Sequence, residues 1–338
     1  MPPRPFISLI MPIRNEEGFI GRSLEAVMAQ DYPPEKMEII VVDGLSGDGT
    51  RGIVEGFRSR YPNITLLSNP RGIVPAAMNI AMARAKGEIV IRVDGHCRIA
   101  TDYVTRCVDH ITQEGVDGVG GPVRTVGETP AARAIAAAMS SPFGVGGSAF
   151  RTTTDKTMLA DTVPFPAYTR AIVERAGPYD EELVRNQDDE YNYRLRKLGG
   201  KILLAADVRS EYYSRSSFRS LWRQYFQYGF WKVRVMQKHP RQMRPRQFVP
   251  AVFVGALCCG ALAAPFGQAG AWFLVAVAGS YVLANLLATA VTARGAFREL
   301  GPFLPLAFAE LHLGFGFGFL AGLIRFWSRW NSSQTNEH

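Results

Sequence analysis

The feature that most constrains this chain is the complete absence of Asp and Glu from Tyr212 to Arg298. Acidic residues are spread through the first two hundred positions, whereas three long apolar stretches lie near the end, at about 248–266, 271–293 and 303–326. A helix needs about 20 mainly apolar residues to cross the hydrocarbon of a bilayer. The sequence therefore predicts a front part of soluble composition and a back part that associates with a membrane.

The three apolar stretches differ in how well they suit a membrane. The second is the clearest span, because it is long enough and carries no charge. The first is short and is interrupted by Pro265. The third contains Glu310 and His312, which are expensive in lipid unless they face protein or water. We therefore expect two to three membrane helices, with the third either spanning, re-entrant or partly interfacial.

The net charge of +8 is concentrated in one block, since residues 194–246 contain 14 Lys and Arg and only two acidic residues. Because no recognition motif accompanies this charge, it favours an anionic membrane surface and argues against nucleic acid. The apolar run at 6–13 is too short for a secretory signal. The positive-inside rule predicts a multi-pass protein of the cell membrane with a cytoplasmic front part. The arginines that carry this orientation are Arg241, Arg244, Arg246, Arg294 and Arg298.

The first hundred residues alternate between short apolar runs and helical patterns. The runs predict strands at 6–11, 38–42, 64–67 and 88–93, and the patterns predict helices at 16–29, 50–58 and 74–85. This alternation is typical of an α/β fold with a mostly parallel sheet. Asp43 and Asp94 follow two of the strands and should reach the edge of the sheet where ligands bind. Each could equally be a helix cap or turn residue.

Residues 218–236 have apolar side chains at helical spacing on one face and arginines on another. The pattern predicts an amphipathic helix at the membrane interface. A core helix of the soluble part with solvated arginines is the alternative.

Residues 8–16, SLIMPIRNE, and 41–50, VVDGLSGDGT, resemble the opening of the family 2 glycosyltransferases. The similarity extends over about residues 6–230. The stretches NPRGIVPAAMN at 69–79, RVDGH at 92–96 and NQDDE at 186–190 are most similar to bacterial exopolysaccharide transferases of the succinoglycan type.

This resemblance implies an inverting enzyme with the GT-A fold, which is Rossmann-like. It predicts a GT-A domain at 1–216, an amphipathic basic interface segment at 217–246 and a membrane domain at 247–330.

The resemblance also implies a site for a UDP-sugar donor. In the family, the end of the first strand and the acidic loop after the second strand hold the nucleobase. A carboxylate suits this task because uracil offers an N–H donor. The usual pair of acids is reduced to Asp43 here, because Gly44 takes the second position. The residues assigned to donor binding are Pro12, Arg14, Glu16, Asp43, Asn79 and Asp94.

Asp94-Gly95-His96 lies where the family has its Asp-x-Asp metal motif. The resemblance implies a divalent metal, Mn²⁺ or Mg²⁺, that neutralises the leaving diphosphate as a Lewis acid. Asp94 would be the principal ligand and His96 the second. Imidazole binds Mn²⁺ but is a poor ligand for Mg²⁺, so the histidine favours Mn²⁺. Considered alone, an Asp-x-His sequence is also compatible with a turn at a strand end.

Asp188 matches the catalytic base of the family's Glu-Asp pair, with Gln187 in place of the Glu. An aspartate has an unperturbed pKa of ~3.9, so it is ionised at neutral pH and can accept the proton of a hydroxyl. The acidic cluster alone would also fit a solvated helix start that is favoured by the helix dipole. The preceding AGPYDE at 176–181 resembles the family's Gly-Phe-Asp-Glu signature and favours the base.

The expected reaction is inverting transfer of a single hexose from a UDP-sugar to a lipid-linked acceptor of the polyprenyl-phosphate type. It would take place at the cytoplasmic membrane face in polysaccharide or glycoconjugate biosynthesis. Gln227 and Tyr228 replace the Arg and Trp of the Gln-x-x-Arg-Trp motif that processive synthases carry. Two alternatives stay open: a processive polysaccharide synthase, and a decayed membrane scaffold that binds nucleotide sugar, for which Gly44, His96 and Gln187 would be the signs of lost activity.

Overall fold

The structure is a computed structural model that describes residues 4–153, 155–214 and 217–330. The chain forms two compact units. The first contains the residues up to Arg124 together with Ala149–Tyr213, and the second contains Thr125–Ser148 together with the residues from Ser214 onward. The second unit thus combines residues 125–148 with the residues from Ser214 onward, whereas the sequence predicts separate domains at 1–216, 217–246 and 247–330.

The described residues contain eleven strands. They are β1 (Ile7–Ile13), β2 (Met37–Asp43), β3 (Ile64–Ser68), β4 (Ile89–Arg92), β5 (Cys97–Ile99), β6 (Gly118–Gly120), β7 (Val123–Val126), β8 (Met158–Leu159), β9 (Ala167–Thr169), β10 (Ile202–Leu204) and β11 (Ser210–Tyr213).

Fourteen α-helices accompany these strands in the described part of the chain. They are α1 (Ile20–Met28), α2 (Thr50–Arg58), α3 (Val74–Arg84), α4 (Tyr103–Glu114), α5 (Pro130–Met139), α6 (Pro142–Val145), α7 (Ala149–Thr152), α8 (Arg170–Ala176), α9 (Gln187–Lys197), α10 (Phe218–Lys238), α11 (Val249–Ala263), α12 (Gln268–Thr292), α13 (Phe297–Leu300) and α14 (Leu304–Arg325).

The main sheet of the first unit has eight strands in the order β3-β2-β1-β4-β9-β6-β10-β8. Strands β3, β2, β1 and β4 are mutually parallel, β10 is parallel to β6, and β9 is antiparallel to both of its neighbours. A smaller sheet has the order β5-β11-β7. The predicted mixed α/β fold with a mostly parallel sheet is confirmed.

The register of the parallel strands brings their carboxyl ends to one edge. Ile13 of β1 pairs with Asp43 of β2, and Asp43 pairs with Ser68 of β3. On the other side of β1, Ile10 pairs with Arg92. Every residue of β1 is buried, as expected for a strand covered by helices on both faces. Asp43 and the start of the loop that carries Asp94 therefore lie at the same edge of the sheet, as predicted.

Helix α1 begins four residues later than the sequence pattern predicts. Asn15 has a φ of 54°, in the left-handed region, which stops a helix from forming at this point. The carbonyl oxygen of Glu16 accepts hydrogen bonds from the backbone N–H groups of Phe19 and Ile20, at 2.9 and 2.8 Å. Residues 16–19 therefore form a turn at the sheet edge, and the helix begins at Ile20.

The second unit is almost entirely helical. Ser217 caps helix α10, since its Oγ accepts a hydrogen bond from Ser220 N, and the helix ends two residues beyond the predicted position. Three segments are long and apolar enough to cross a membrane: Val249–Phe266, Gln268–Thr292 and Leu304–Arg325. They match the three predicted apolar stretches to within about three residues at each end. The predicted C-terminal membrane helices are therefore present as candidates.

Candidate active site

One buried arginine at the edge of the main sheet interacts with the charges of two carboxylates. Arg92 ends β4, and its Nε and Nη2 atoms donate to Asp94 Oδ1 and Oδ2 at 2.8 and 3.2 Å. Burial lowers the pKa of Arg92, but the charges of Asp94 and Asp188 raise it by a larger amount. The pKa of Arg92 is therefore above its ordinary value. The predicted metal ligand thus binds this guanidinium directly, and the charge of the predicted base acts on the same group.

The charge state of Asp94 follows from its neighbours. Burial raises the pKa of its carboxyl group, but Arg92, His96 and Arg185 lower it, and the net shift is downward. Asp94 is therefore ionised at neutral pH although only 18% of its side chain is exposed. The thiol of Cys97 donates to the backbone oxygen of Asp94 at 3.1 Å and fixes the turn.

Asp188 lies in the first turn of α9, at the positive end of the helix dipole. Its side chain is exposed, so an acceptor hydroxyl can reach it from solvent. The residue before it, Gln187, is 5% exposed, and its Oε1 atom has no hydrogen-bond partner in the part of the chain that the structure describes. The start of α9 therefore presents the accessible carboxylate of Asp188 next to the buried amide oxygen of Gln187.

A rigid scaffold holds α9 in place. The rings of Tyr179 and Tyr191 stack with centroids 3.9 Å apart and planes 6° apart. Arg194 forms a two-point ion pair with Glu190, at 2.6 and 3.1 Å, and donates to Pro178 O at 2.9 Å. Burial raises the pKa of Tyr191 to about 12, so this ring stays neutral. These contacts fix the loop before α9 to the helix that carries Asp188.

The residues predicted to bind the nucleobase lie at the ends of β1 and β2. Pro12 is buried within β1, whereas Arg14 is exposed and donates to Gly72 O at 2.9 Å. The Asp43 carboxylate is 2% exposed, accepts from Ser46 Oγ at 2.6 Å and pairs with Arg51 at 3.5 Å. Asp43 therefore orders the loop that follows its strand.

Gly44 lies close to the Arg14 side chain and to the end of β1. A Cβ atom at this position would come within 3.3 Å of the Arg14 side chain and of Ile13 O. The second acid of the family pair is therefore replaced by a residue that lets Arg14 lie against the loop. Asp48 accepts from Thr50 N at 3.1 Å at the start of α2, which agrees with a structural role.

Asn79, assigned to the donor site from its motif, positions a loop. Its Oδ1 atom accepts from Tyr179 N at 2.7 Å, and its Nδ2 atom donates to Tyr179 O and Glu181 Oε1 at 3.0 and 2.8 Å. Glu181 also pairs with Arg71. The motif at 69–79 is thus connected to the loop that leads into α9.

The residues present fit a divalent metal with two protein ligands. His96 Nδ1 lies 2.8 Å from Glu16 Oε1, and if Nδ1 donates in this bond, Nε2 keeps its lone pair for a metal. The Asp94 carboxylate retains acceptor sites beyond the two that Arg92 occupies. Among residues 4–153, 155–214 and 217–330, no group of three or more His, Cys, Asp and Glu side chains could hold an ion. A metal here would take its other ligands from donor phosphates and water.

Sequence reasoning missed the central role of Arg92 and the scaffold around Tyr179 and Arg194. A signal for Arg92 was present, because a charged residue inside the apolar run IVIRV needs a buried partner. Nothing in the local sequence indicates that Tyr179 and Tyr191, twelve positions apart, would stack.

Known proteins resemble this chain in sequence and in fold. The family model described as Glycosyl transferase family 2 matches residues 8–177. The succinoglycan biosynthesis protein ExoA of Rhizobium meliloti (strain 1021) is 31% identical over 320 residues, covering 94% of this chain and 95% of the relative.

A second relative is an enzyme of Methanococcus voltae. It is named dolichyl N-acetyl-alpha-D-glucosaminyl phosphate 3-beta-D-2,3-diacetamido-2,3-dideoxy-beta-D-glucuronosyltransferase. It is 30% identical over 241 residues, covering 69% of this chain and 74% of the relative. Among solved structures, a mannosyltransferase of Pyrobaculum calidifontis in complex with GDP-Man and Mn²⁺ superimposes with a TM-score of 0.58 at 22% identity, covering 93% of this chain and 88% of that one. The chain belongs to glycosyltransferase family 2 and is a glycosyltransferase with the GT-A fold.

Proposed function

We propose that this chain transfers a single hexose from a UDP-sugar to a lipid-linked acceptor of the polyprenyl-phosphate type, with inversion at the anomeric carbon. The reaction takes place at the cytoplasmic face of the membrane, in the biosynthesis of a polysaccharide or glycoconjugate. The observation that carries the proposal is that Asp94 binds Arg92 through two hydrogen bonds while the charge of the exposed Asp188 acts on the same guanidinium. One carboxylate is exposed, so a hydroxyl can reach it, and the other is suited to a metal–diphosphate group.

Asp188 acts as the general base. Its carboxylate accepts the proton of the acceptor hydroxyl while that oxygen bonds to the anomeric carbon from the face opposite the diphosphate. The anomeric carbon–oxygen bond to the diphosphate breaks in the same step, so the configuration inverts. Because α9 is fixed by Tyr179, Tyr191 and Arg194, the carboxylate is held in position before the acceptor arrives.

The donor occupies the carboxyl edge of the main sheet in this proposal. Arg14 and Asp43 contribute to the nucleobase site through the loops after β1 and β2. Asp94 and His96 would hold a divalent metal, which supplies Lewis-acid neutralisation of the diphosphate when bound. Glu16 orients the His96 ring through its hydrogen bond to Nδ1.

Three observations support a lipid-linked acceptor. The relative from Methanococcus voltae is named for a dolichyl phosphate-linked acceptor. Three helices of this chain are apolar and long enough for a membrane. A groove of about 500 Å³ on α10 is lined by arginine and aromatic side chains, which suits a phosphate attached to an apolar chain. The side chains that line this groove include Arg219, Arg223, Trp222 and Trp231.

A UDP-release assay tests the proposal. Purified protein in lipid nanodiscs is incubated with Mn²⁺, a panel of UDP-sugars and a membrane lipid extract. We expect UDP release with one donor that depends on the extract, and a lipid product heavier by one hexose. UDP binding without release would favour the decayed scaffold, and a ladder of products would favour a processive synthase.

A further inference from the structure

Helices α10 and α14 lie side by side and run in the same direction. The rings of Phe218 and Phe303 are 6.5 Å apart at one end, and Gln237 Nε2 donates to Phe326 O at 2.8 Å at the other. Between these points the backbones touch, because a Cβ atom on Gly318 would overlap the carbonyl oxygen of Phe226. The two helices are therefore parallel and in contact along their full length. In a membrane, both would have the same tilt and lie at the same depth.

Helix α10 cannot cross the hydrocarbon as an ordinary span. It carries five cationic residues distributed over its length, Arg219, Arg223, Lys232, Arg234 and Lys238. Charges at the centre of a bilayer are expensive, and long basic side chains reach the interface only from near helix ends. Since α14 lies along α10, the orientation that suits α10 applies to α14 as well.

A second set of contacts holds α14 and the turn before it against α5 and α6 of the same unit. His312, near the middle of α14, has its Nε2 atom 2.8 Å from Phe143 O in α6. The Phe143 ring lies 5.0 Å from that of Phe308. Just before α14, Glu299 pairs with Arg133 of α5 at 2.6 Å. The middle of α14 is therefore covered by protein where a spanning helix would meet lipid.

Helices α11 and α12, in contrast to α10, are uncharged and apolar. No charged residue lies between Arg246 and Arg294. The two helices form a hairpin whose open end rests on α14, with Phe248 against Phe319 and Asn285 Nδ2 donating to Pro305 O at 3.0 Å.

Toward the tip of this hairpin the apolar side chains face outward. Leu262 is 73% exposed, Phe266 91% and Trp272 70%. Such a surface needs an apolar environment, and the acyl chains of a bilayer supply it.

We propose that only the α11–α12 hairpin enters the hydrocarbon, while the α10–α14 pair lies along a bilayer surface with anionic headgroups. Both ends of the hairpin are then on one side of the membrane. Arg325 and Arg329, which a spanning α14 would place outside, stay on the same side as Arg246 and Arg294, in agreement with the positive-inside rule. This topology does not depend on the sugar that is transferred.

Depth measurements with spin labels test the topology. Single cysteines replace Leu306, Phe317 and Ile324, which are 48%, 39% and 81% exposed along α14, in a cysteine-free full-length chain. Val275, Val282 and Val291 of α12, each more than half exposed, provide the matched control. We expect the three α14 labels at one shallow depth, within about 5 Å, and the three α12 labels at a graded depth.

A spanning α14 would place residues 306 and 324 about 27 Å apart along the membrane normal, with residue 317 deepest. That result would overturn the proposal. Labelling with a membrane-impermeant maleimide gives an independent readout: a cysteine at the exposed Ser328 should react in sealed vesicles from the same face as one at the exposed Ser59. Reaction from the opposite face would also overturn it.

Discussion

Arg92 binds Asp94 through two hydrogen bonds, from Nε to Oδ1 at 2.8 Å and from Nη2 to Oδ2 at 3.2 Å. The pair keeps Asp94 ionised in a largely buried position. It also fixes the carboxylate in the plane of the guanidinium, so that the remaining acceptor sites point in defined directions. An arginine at the end of β4 thus prepares the carboxylate that the proposed donor site requires.

Replacing Asp94 by Asn removes the charge and keeps an oxygen that can accept from Arg92. We expect transfer to fall by about 100-fold or more, because neutralisation of the leaving diphosphate is weakened. UDP affinity in the presence of Mn²⁺ should fall as well. UDP release measures the transfer rate, and calorimetry measures the UDP affinity. The matched control is Asp102→Asn, an exposed carboxylate paired with Arg106, which should behave as wild type.

Replacing His96 by Asp restores the second acid of the family motif. Because a carboxylate suits Mg²⁺ better than an imidazole does, the ratio of activity with Mn²⁺ to activity with Mg²⁺ should fall by about tenfold. Rates with each metal are compared at saturating concentration. An inactive His96→Asp variant with an intact fold would contradict this assignment.

The ion pair between Glu190 and Arg194 should contribute to stability through its burial. The Glu190 side chain is only 2% exposed. Arg194→Met removes the arginine partner of this buried carboxylate, and loss of one partner of a buried pair costs about 3–5 kcal/mol. The double variant Arg194→Met with Glu190→Gln should recover part of that loss. Chemical unfolding of the solubilised protein measures both, and equal instability of the single and double variants would be inconsistent with this explanation.

His110 should make stability depend on pH. Its ring nitrogens face Glu114 and Asp207 at 2.5 and 2.7 Å. Burial lowers the pKa of His110, but the hydrogen bonds to these carboxylates raise it, and the net shift is upward. The stabilisation is therefore full below the unfolded pKa of about 6.5 and is lost as the pH rises through the higher folded value.

The His110→Gln variant tests this prediction. It should lower the melting temperature by about 2–4 °C at pH 5.5, for a loss of about 1 kcal/mol. The difference from wild type should be smaller at pH 9. A difference that grows with pH would contradict the assignment.

Local patterns were sufficient to predict the first half of the main sheet. Strands β1 to β4 are runs of β-branched and apolar residues, and α2 begins and ends at the predicted residues, Thr50 and Arg58. These elements depend on periodicity within one segment, which the sequence displays directly. The start of α1 was predicted four residues early because a left-handed Asn15 is decided by its loop contacts and not by apolar spacing.

Contacts between segments that are distant along the chain could not be predicted from the sequence. In the Gly- and Ser-rich stretch at 144–155, Gly144 is buried in α6 and packs against Ala138 and Leu311. Likewise, the alignment of α14 with α10 follows from glycines that allow the backbones to meet. Neither pairing has a signature in the segments taken separately, because each depends on the shape of its partner.

Single-turnover transfer by Asp188→Asn shows whether Asp188 takes the proton of the acceptor hydroxyl. Asp189→Asn, the neighbouring carboxylate in the same turn of α9, is the matched control. We expect Asp188→Asn to slow transfer by about 10²–10⁴-fold with UDP-sugar affinity retained, and the control to remain within about threefold of wild type. Transfer at the wild-type rate by Asp188→Asn, with its fold intact, would contradict the account.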